Sequence, residues 1–287
     1  MQYETLVGVD ELAQALSADR SKVLVVDCSF DLADRRAGRR LYEGGHIPGA
    51  RHADLEEVLS GAKTGTNGRH PLPERESFAR AMRALGAHDD TQVVAYDNAG
   101  GMFAARLWWL LRWAGHRAAA VLDGGMAAWR AAGLPVETDE PAPAASGTFS
   151  LRDSLTRTAS LDTLRASLGS GEYLIMDARA ADRFRGENET LDPIGGHIPG
   201  ARNRFFRDNL TDAGLFRSAE ELRRDFDALA GGVPVRQWVN QCGSGVTACH
   251  NLLAQAVAGL PGAALYPGSW SEWSAQPDAP VATGPQD

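Results

Sequence analysis

The heptapeptide Gly45-His46-Ile47-Pro48-Gly49-Ala50-Arg51 recurs without change as Gly196-His197-Ile198-Pro199-Gly200-Ala201-Arg202. In a chain of 287 residues this identity, at a spacing of about 150 positions, constrains the fold more than any other feature: one unit has been built twice. The flanking pieces repeat in the same order. Val23-Leu24-Val25-Val26-Asp27 matches Tyr173-Leu174-Ile175-Met176-Asp177, and both read as buried strands that end on a carboxylate. Gln92 to Asp97 matches Gln237 to Cys242, each run leading to a predicted helix, Phe103 to Ala114 and Thr247 to Ala258. Gly115 and Gly259 stand where a helix commonly stops. Asp123-Gly124-Gly125-Met126-Ala127-Ala128-Trp129 matches Pro267-Gly268-Ser269-Trp270-Ser271-Glu272-Trp273, with Trp270 expected at the end of the next strand.

Strands alternating with helices predict an α/β fold in each half, a mainly parallel sheet flanked by helices. The stretch 139–150, rich in Pro, Ala and Ser, has linker composition and divides the chain into 1–138 and 151–287. Ligands of such sheets bind beyond the carboxyl ends of the strands, where both Asp97 and Cys242 should fall. The copies differ there, since Asp97 replaces the cysteine and its loop carries one residue more before the closing glycine. Only the second half is equipped for thiol chemistry.

Cys242 lies in Gln241-Cys242-Gly243-Ser244-Gly245-Val246-Thr247, a strand end running through a glycine-rich loop into a helix. This arrangement aims unpaired backbone N–H groups, and the positive end of the helix dipole, at the sulfur. A thiolate is favoured and a nucleophile is prepared. Cys28 and Cys249 complete neither a metal-binding spacing nor a disulfide framework, and Cys249 reads as a small core residue on the helix after Cys242. No metal site is expected.

The net charge of −8 argues against a nucleic-acid partner or an anionic membrane surface, both of which need a basic field. Met1 to Leu16 shows neither the basic nor the apolar region of a leader, and no stretch has the length of a membrane span. With three unpaired cysteines, a cytoplasmic protein is expected.

Several other residues carry weaker signals. His46 and His197 are duplicated, one of them in the half without a nucleophile, so a shared structural role is the better reading. Asp27 and Asp177 are duplicated likewise and read as loop anchors. Trp270 is a candidate border of the pocket, whereas Trp129 and Trp273 read as packing residues. His70, in Gly68-Arg69-His70-Pro71-Leu72-Pro73, is carried as a lesser candidate for the Cys242 site; His250 reads as remote from it.

With the two GHIPGA segments, the Asp97 loop, the Cys-Gly-Ser-Gly-Val-Thr loop and the closing Gly268 to Trp273 in order, the chain resembles the two-domain rhodanese-like sulfurtransferases along its whole length. The resemblance implies two tandem rhodanese-like domains, with catalysis confined to the second and no cofactor. It implies a persulfide relay in which Cys242 takes sulfur from a small-molecule donor and passes it to cyanide or a thiol acceptor of the thioredoxin-like kind. Gly243, Ser244, Gly245, Val246 and Thr247 would form the anion cradle.

The family uses two donors, 3-mercaptopyruvate and thiosulfate. Enzymes of the thiosulfate type carry cationic side chains just after the cysteine, where this chain has Gly243 and Ser244. The loop is therefore similar to the mercaptopyruvate type, in which the serine hydroxyl assists at the donor, with thiosulfate kept as the alternative. Mercaptopyruvate enzymes grip the donor carboxylate with two arginines, and Arg183 matches the first. The second is missing from Glu187 to Ile194; Arg179 and Arg185 are possible substitutes. A sulfur carrier fed by a protein donor is the reading from another class. The related cell-cycle phosphatases require an arginine six positions after the nucleophile, and Ala248 stands there.

Overall fold

The computed structural model describes residues 2–142 and 144–285, so Pro143 of the expected linker lies outside the described residues. The chain forms two compact units: 1–61 with 73–155 and 212–215, and 62–72 with 156–211 and 216–287. The segment 62–72, from the first half of the sequence, thus belongs to the second unit. The expected linker is held against the first unit, for instance by Gly147 N–H donating to Arg83 O at 2.8 Å and Phe149 N–H to Ala87 O at 3.2 Å.

Each unit contains one five-stranded parallel sheet. In the first the strands are β1 (Leu6–Val7), β2 (Val23–Asp27), β3 (Arg51–His52), β4 (Gln92–Tyr96) and β5 (Ala119–Leu122), in spatial order β1-β5-β4-β2-β3. In the second they are β6 (Arg157–Thr158), β7 (Leu174–Asp177), β8 (Arg202–Asn203), β9 (Trp238–Gln241) and β10 (Ala264–Leu265), in the same order, β6-β10-β9-β7-β8. Helices cover these sheets, so the central strands are buried along nearly their whole length and read as apolar runs without alternation.

Register carries the duplicated polar residues to equivalent places. Asp27 pairs with Tyr96 and Asp177 with Gln241, each one residue before the loop that follows β4 or β9. The Asp27 carboxylate accepts from Ser29 N–H at 2.7 Å and that of Asp177 from Arg179 N–H at 2.9 Å, which makes both loop anchors. His46 Nδ1 lies 2.8 Å from Tyr42 O with its ring stacked on Tyr42; His197 Nδ1 lies 2.8 Å from Phe184 O with its ring stacked on Phe184. The two histidines do the same structural work in the two units.

One local expectation needs correcting. Trp270 does not end a strand: β10 stops at Leu265 and Ser269–Trp273 is a short helix. Trp270 is buried there and donates to Ile194 O at 2.8 Å, while Trp129 and Trp273 pack in the cores and donate to Pro135 O and Pro280 O.

Candidate active site

Cys242 is the first residue past β9, and helix Thr247–Val257 opens five residues later. Cys242 is 2% exposed. Gly245 N–H points at Sγ from 3.1 Å and Ser244 N–H from 3.5 Å. Cys242 N–H donates to Ser269 Oγ at 3.1 Å, while Cys242 O accepts from Trp270 N–H and Gly243 O from Ser271 N–H, both at 2.9 Å. The loop is therefore clamped by the start of helix Ser269–Trp273, with its N–H groups held on the sulfur. Ser269 adopts φ 55°, the only positive φ at a non-glycine among the described residues. Its hydroxyl spends its own proton on Tyr266 O at 2.9 Å, leaving its lone pairs for Cys242 N–H.

Gly245 lies at φ 76°, and a Cβ there would approach Pro267 O to 2.4 Å, so the turn that aims its N–H at sulfur requires glycine. Val246 and Thr247 carry the loop into the helix. Cys249 points away from this chemistry, its Sγ lying 3.3 Å from Gly245 O, and His250 packs between Phe206 and Phe216.

The equivalent loop of the first unit holds a carboxylate instead. Asp97 Oδ1 accepts from Ala99 N–H at 2.7 Å and Gly101 N–H at 2.8 Å, and Oδ2 from Phe103 N–H at 2.8 Å and Ala104 N–H at 2.9 Å. The longer loop closes over its own carboxyl group, whose pKa burial raises against the pull of these N–H groups. Both loops direct backbone N–H groups at one side chain, and only that of the second unit presents a sulfur.

Ser244 Oγ lies 2.8 Å from His70 Nδ1, and both side chains are buried. His70 therefore joins the Cys242 loop through Ser244. Its neighbour Arg69 is fixed beside it, Arg69 N–H donating to Ser271 Oγ at 3.0 Å.

The charges around Gly243 form a cluster. Arg183 binds Glu189 through Nε at 3.1 Å and Nη2 at 2.7 Å, and Arg69 forms an ion pair with Asp192. A Cβ on Gly243 would lie 2.8 Å from Arg69 Nη2 and 3.6 Å from Arg183 Nη2, so two guanidinium groups converge on the residue after Cys242. Burial alone would raise the Glu189 carboxyl, but Arg183 and the N–H groups of Leu191 and Asp192 hold it below its ordinary range. Arg179 is buried against Asp177 at 2.7 Å and Gly196 O at 2.7 Å, with its guanidinium 4.7 Å from the Trp270 ring centroid. Arg185 pairs with Glu187 on the surface. Of the arginines weighed from sequence, Arg183 reaches the loop, Arg179 is a buried brace and Arg185 is outside; Arg69 comes to the loop unforeseen.

Comparison with known proteins agrees with this anatomy. A family model described as "Rhodanese-like domain" matches residues 8–132 and again 160–276. A Pseudomonas aeruginosa protein named "Probable 3-mercaptopyruvate sulfurtransferase" is 49% identical over 286 residues, covering 99% of this chain and 100% of its own. The thiosulfate sulfurtransferase of Bos taurus is 36% identical over 293 residues, covering 98% of this chain and 96% of its own. The crystal structure of SseA from Escherichia coli, described among 3-mercaptopyruvate sulfotransferases, superposes with a TM-score of 0.80 at 33% identity over 94% of this chain and 100% of that one.

Proposed function

The chain belongs to the rhodanese-like family and is a sulfurtransferase, and from that premise we propose that it moves sulfur from 3-mercaptopyruvate to cyanide or a thiol through a persulfide on Cys242. The observation that carries this reading is the pair of N–H groups, from Ser244 and Gly245, directed at Cys242 Sγ. They stabilise the negative charge that sulfur carries during transfer and that of the persulfide that follows.

In the first half-reaction the Cys242 thiolate attacks the donor sulfur. An S–S bond forms, the C–S bond breaks, and its electron pair leaves on carbon as the pyruvate enolate, which takes a proton to become pyruvate. In the second, cyanide attacks the outer sulfur, the S–S bond returns its pair to Cys242, and thiocyanate leaves. The enolate needs a proton delivered close to the nucleophile, and His70 with Ser244 makes a relay able to deliver it. With thiosulfate the leaving group is sulfite, which needs no proton on carbon, so this pair favours mercaptopyruvate over the alternative donor. Arg183 supplies a cation for the donor carboxylate, and the loop from Gly243 to Thr247 supplies the cradle. No helix among the described residues is long and apolar enough to cross a membrane, and the three cysteines are free thiols. The free thiols support a reducing, cytoplasmic setting.

The test is to incubate the protein with 3-mercaptopyruvate, and separately with thiosulfate, in the absence of acceptor. The expected result is a mass gain of one sulfur atom, discharged by cyanide as thiocyanate, and no gain in Cys242→Ser. Full transfer by Cys242→Ser overturns the reading; a persulfide formed only from a protein donor favours the carrier.

A further inference from the structure

A cavity of about 320 Å³ lies against the turn that clamps the Cys242 loop, and every residue of its wall belongs to the second unit. Asn67, Pro71, Leu72, Leu161, Tyr266 and Glu272 line it, and Glu272 is the one side chain of that wall that carries a full charge. It is half-buried and forms no ion pair among the described residues. Burial pushes its carboxyl up against the pull of the Tyr266 hydroxyl, and the charge that reaches it, from Asp162, is also negative. A Cβ on Gly268 would collide with Glu272 Oε2, so the carboxyl occupies room that only glycine leaves there. Tyr266 is fully buried, and its hydroxyl has no hydrogen bond of good geometry among the described residues. A carboxylate and a hydroxyl thus share one largely apolar cavity with no cation beside them.

We propose that this cavity is an effector site for a small organic cation, an ammonium group on a short apolar body, held by Glu272 and Tyr266, and that its occupant braces the Cys242 loop. The ammonium donates to the carboxylate and to the phenol oxygen, while Pro71, Leu72 and Leu161 cover the apolar body. A metal ion would find one carboxylate and one phenol, far short of the oxygen set that Ca²⁺ or Mg²⁺ takes. The anionic sulfur donors are excluded, since nothing in the wall offsets the charge of Glu272. The bracing follows from shared residues. Pro267 and Gly268 belong to the wall, and a Cβ on Gly245 would meet the Pro267 carbonyl, so the same turn underlies the residue whose N–H points at Cys242 Sγ. Gly268 O also accepts from Ser271 Oγ at 3.1 Å, and Ser271 Oγ accepts from Arg69 N–H. Pro71 and Leu72 directly follow His70, which meets Ser244. An occupant therefore touches both segments that hold the loop in place. Since Cys242 is 2% exposed, a reagent reaches its sulfur only when that loop opens, and a ligand of the closed form lowers the open population.

Benzylamine, a primary ammonium at pH 8, and benzyl alcohol, its neutral counterpart, are the probes. Titrated into the full chain by calorimetry, benzylamine is expected to bind with a Kd of about 1 mM, and benzyl alcohol about tenfold or more weaker. Glu272→Gln should abolish the preference for the amine and leave the alcohol unchanged, whereas Glu272→Asp, which keeps the charge, should retain the preference and so guards against a folding artefact. Tyr266→Phe should weaken the amine several-fold. Alkylation of Cys242 by iodoacetamide, located by peptide mass, should slow at least about threefold at ten times Kd, and not at all in Glu272→Gln. No benzylamine binding by wild type, or equal binding by Glu272→Gln, overturns the site. Binding without slower alkylation overturns the bracing. N-acetyl-lysinamide stands for the side chain of a protein lysine; binding at least about tenfold tighter than benzylamine would make the occupant a protein and overturn the small-molecule reading. None of these outcomes depends on which sulfur donor the protein uses, so failure here and failure of the mercaptopyruvate reading are separate results.

Discussion

His70 Nδ1 and Ser244 Oγ are 2.8 Å apart, and the Ser244 N–H is directed at Cys242 Sγ. One residue thus links an imidazole to the Cys242 loop. If this pair delivers the proton that quenches the enolate, its removal must depend on the donor. His70→Gln and Ser244→Ala are expected to lower kcat with 3-mercaptopyruvate about 100-fold, within the range of general acid catalysis. With thiosulfate, whose leaving group needs no carbon protonation, the loss should stay within about tenfold. Parallel steady-state assays with the two donors check this, and equal losses would reduce the pair to a structural contact.

The Asp97 carboxylate stands in the first unit where the Cys242 sulfur stands in the second, and it satisfies four backbone N–H groups. Asp97→Ala strands those donors in a largely buried loop, so destabilisation of at least about 3 kcal/mol is expected. Asp97→Asn should cost less, because the amide oxygen still accepts while the amide nitrogen faces donors. Persulfide formation per folded molecule should not change in Asp97→Asn. Urea unfolding and the mass assay, on the same samples, separate the two effects.

The repeat, the alternation of strands and helices in each half and the Cys242 loop were legible in the sequence because each is local. Apolar runs such as Val23 to Val26 mark strands buried on both faces, and Gly243-Ser244-Gly245 marks a turn that only small residues permit. The helix bearing Trp270 was misread because β10 is two residues long and its apolar signal does not separate from Tyr266 and Trp270 on either side. His70 was legible only as a lesser candidate for the site, and Arg69 was not legible as its partner. Their segment precedes Cys242 by about 170 residues and joins the second unit through tertiary contacts, such as Arg69 with Asp192, that no periodicity records. Asp192 was visible only as part of a stretch that lacked an arginine, because its ion pair depends on where Arg69 comes from.

The two loop glycines next to the sulfur should fail differently. A Cβ at Gly245 meets the Pro267 carbonyl in a backbone conformation that disfavours side chains, and neither can yield cheaply. Gly245→Ala is expected to destabilise by about 1–3 kcal/mol and to lower kcat at least tenfold, since the N–H aimed at Sγ moves with the turn. A Cβ at Gly243 meets the tip of Arg69, a flexible side chain. Gly243→Ala should leave the melting temperature nearly unchanged and raise the donor KM. Measuring thermal stability and both kinetic constants for each variant checks the contrast.

His116 gives the first unit a pH dependence of known sign. It is buried at the end of the helix Ala104–Trp113, with Nε2 2.9 Å from Thr91 O and its ring beside Phe149. Burial pushes its pKa below the ordinary value of 6.5; the carbonyls of Thr91 and Ala118 and the Asp89 carboxylate pull upward, and Arg152 pulls downward. Below that ordinary value the unfolded chain takes up a proton that the folded protein refuses, so stability is full above it and declines as pH falls toward the folded pKa. The slope from this one group approaches about 1.4 kcal/mol per pH unit. His116→Gln keeps an N–H for Thr91 O and cannot titrate, and the other histidines are common to both proteins. The stability of wild type relative to His116→Gln should therefore shrink between about pH 7.5 and 5.5 in urea unfolding. A difference that stays constant across that interval would mean that His116 is protonated as readily in the folded chain as in the unfolded one.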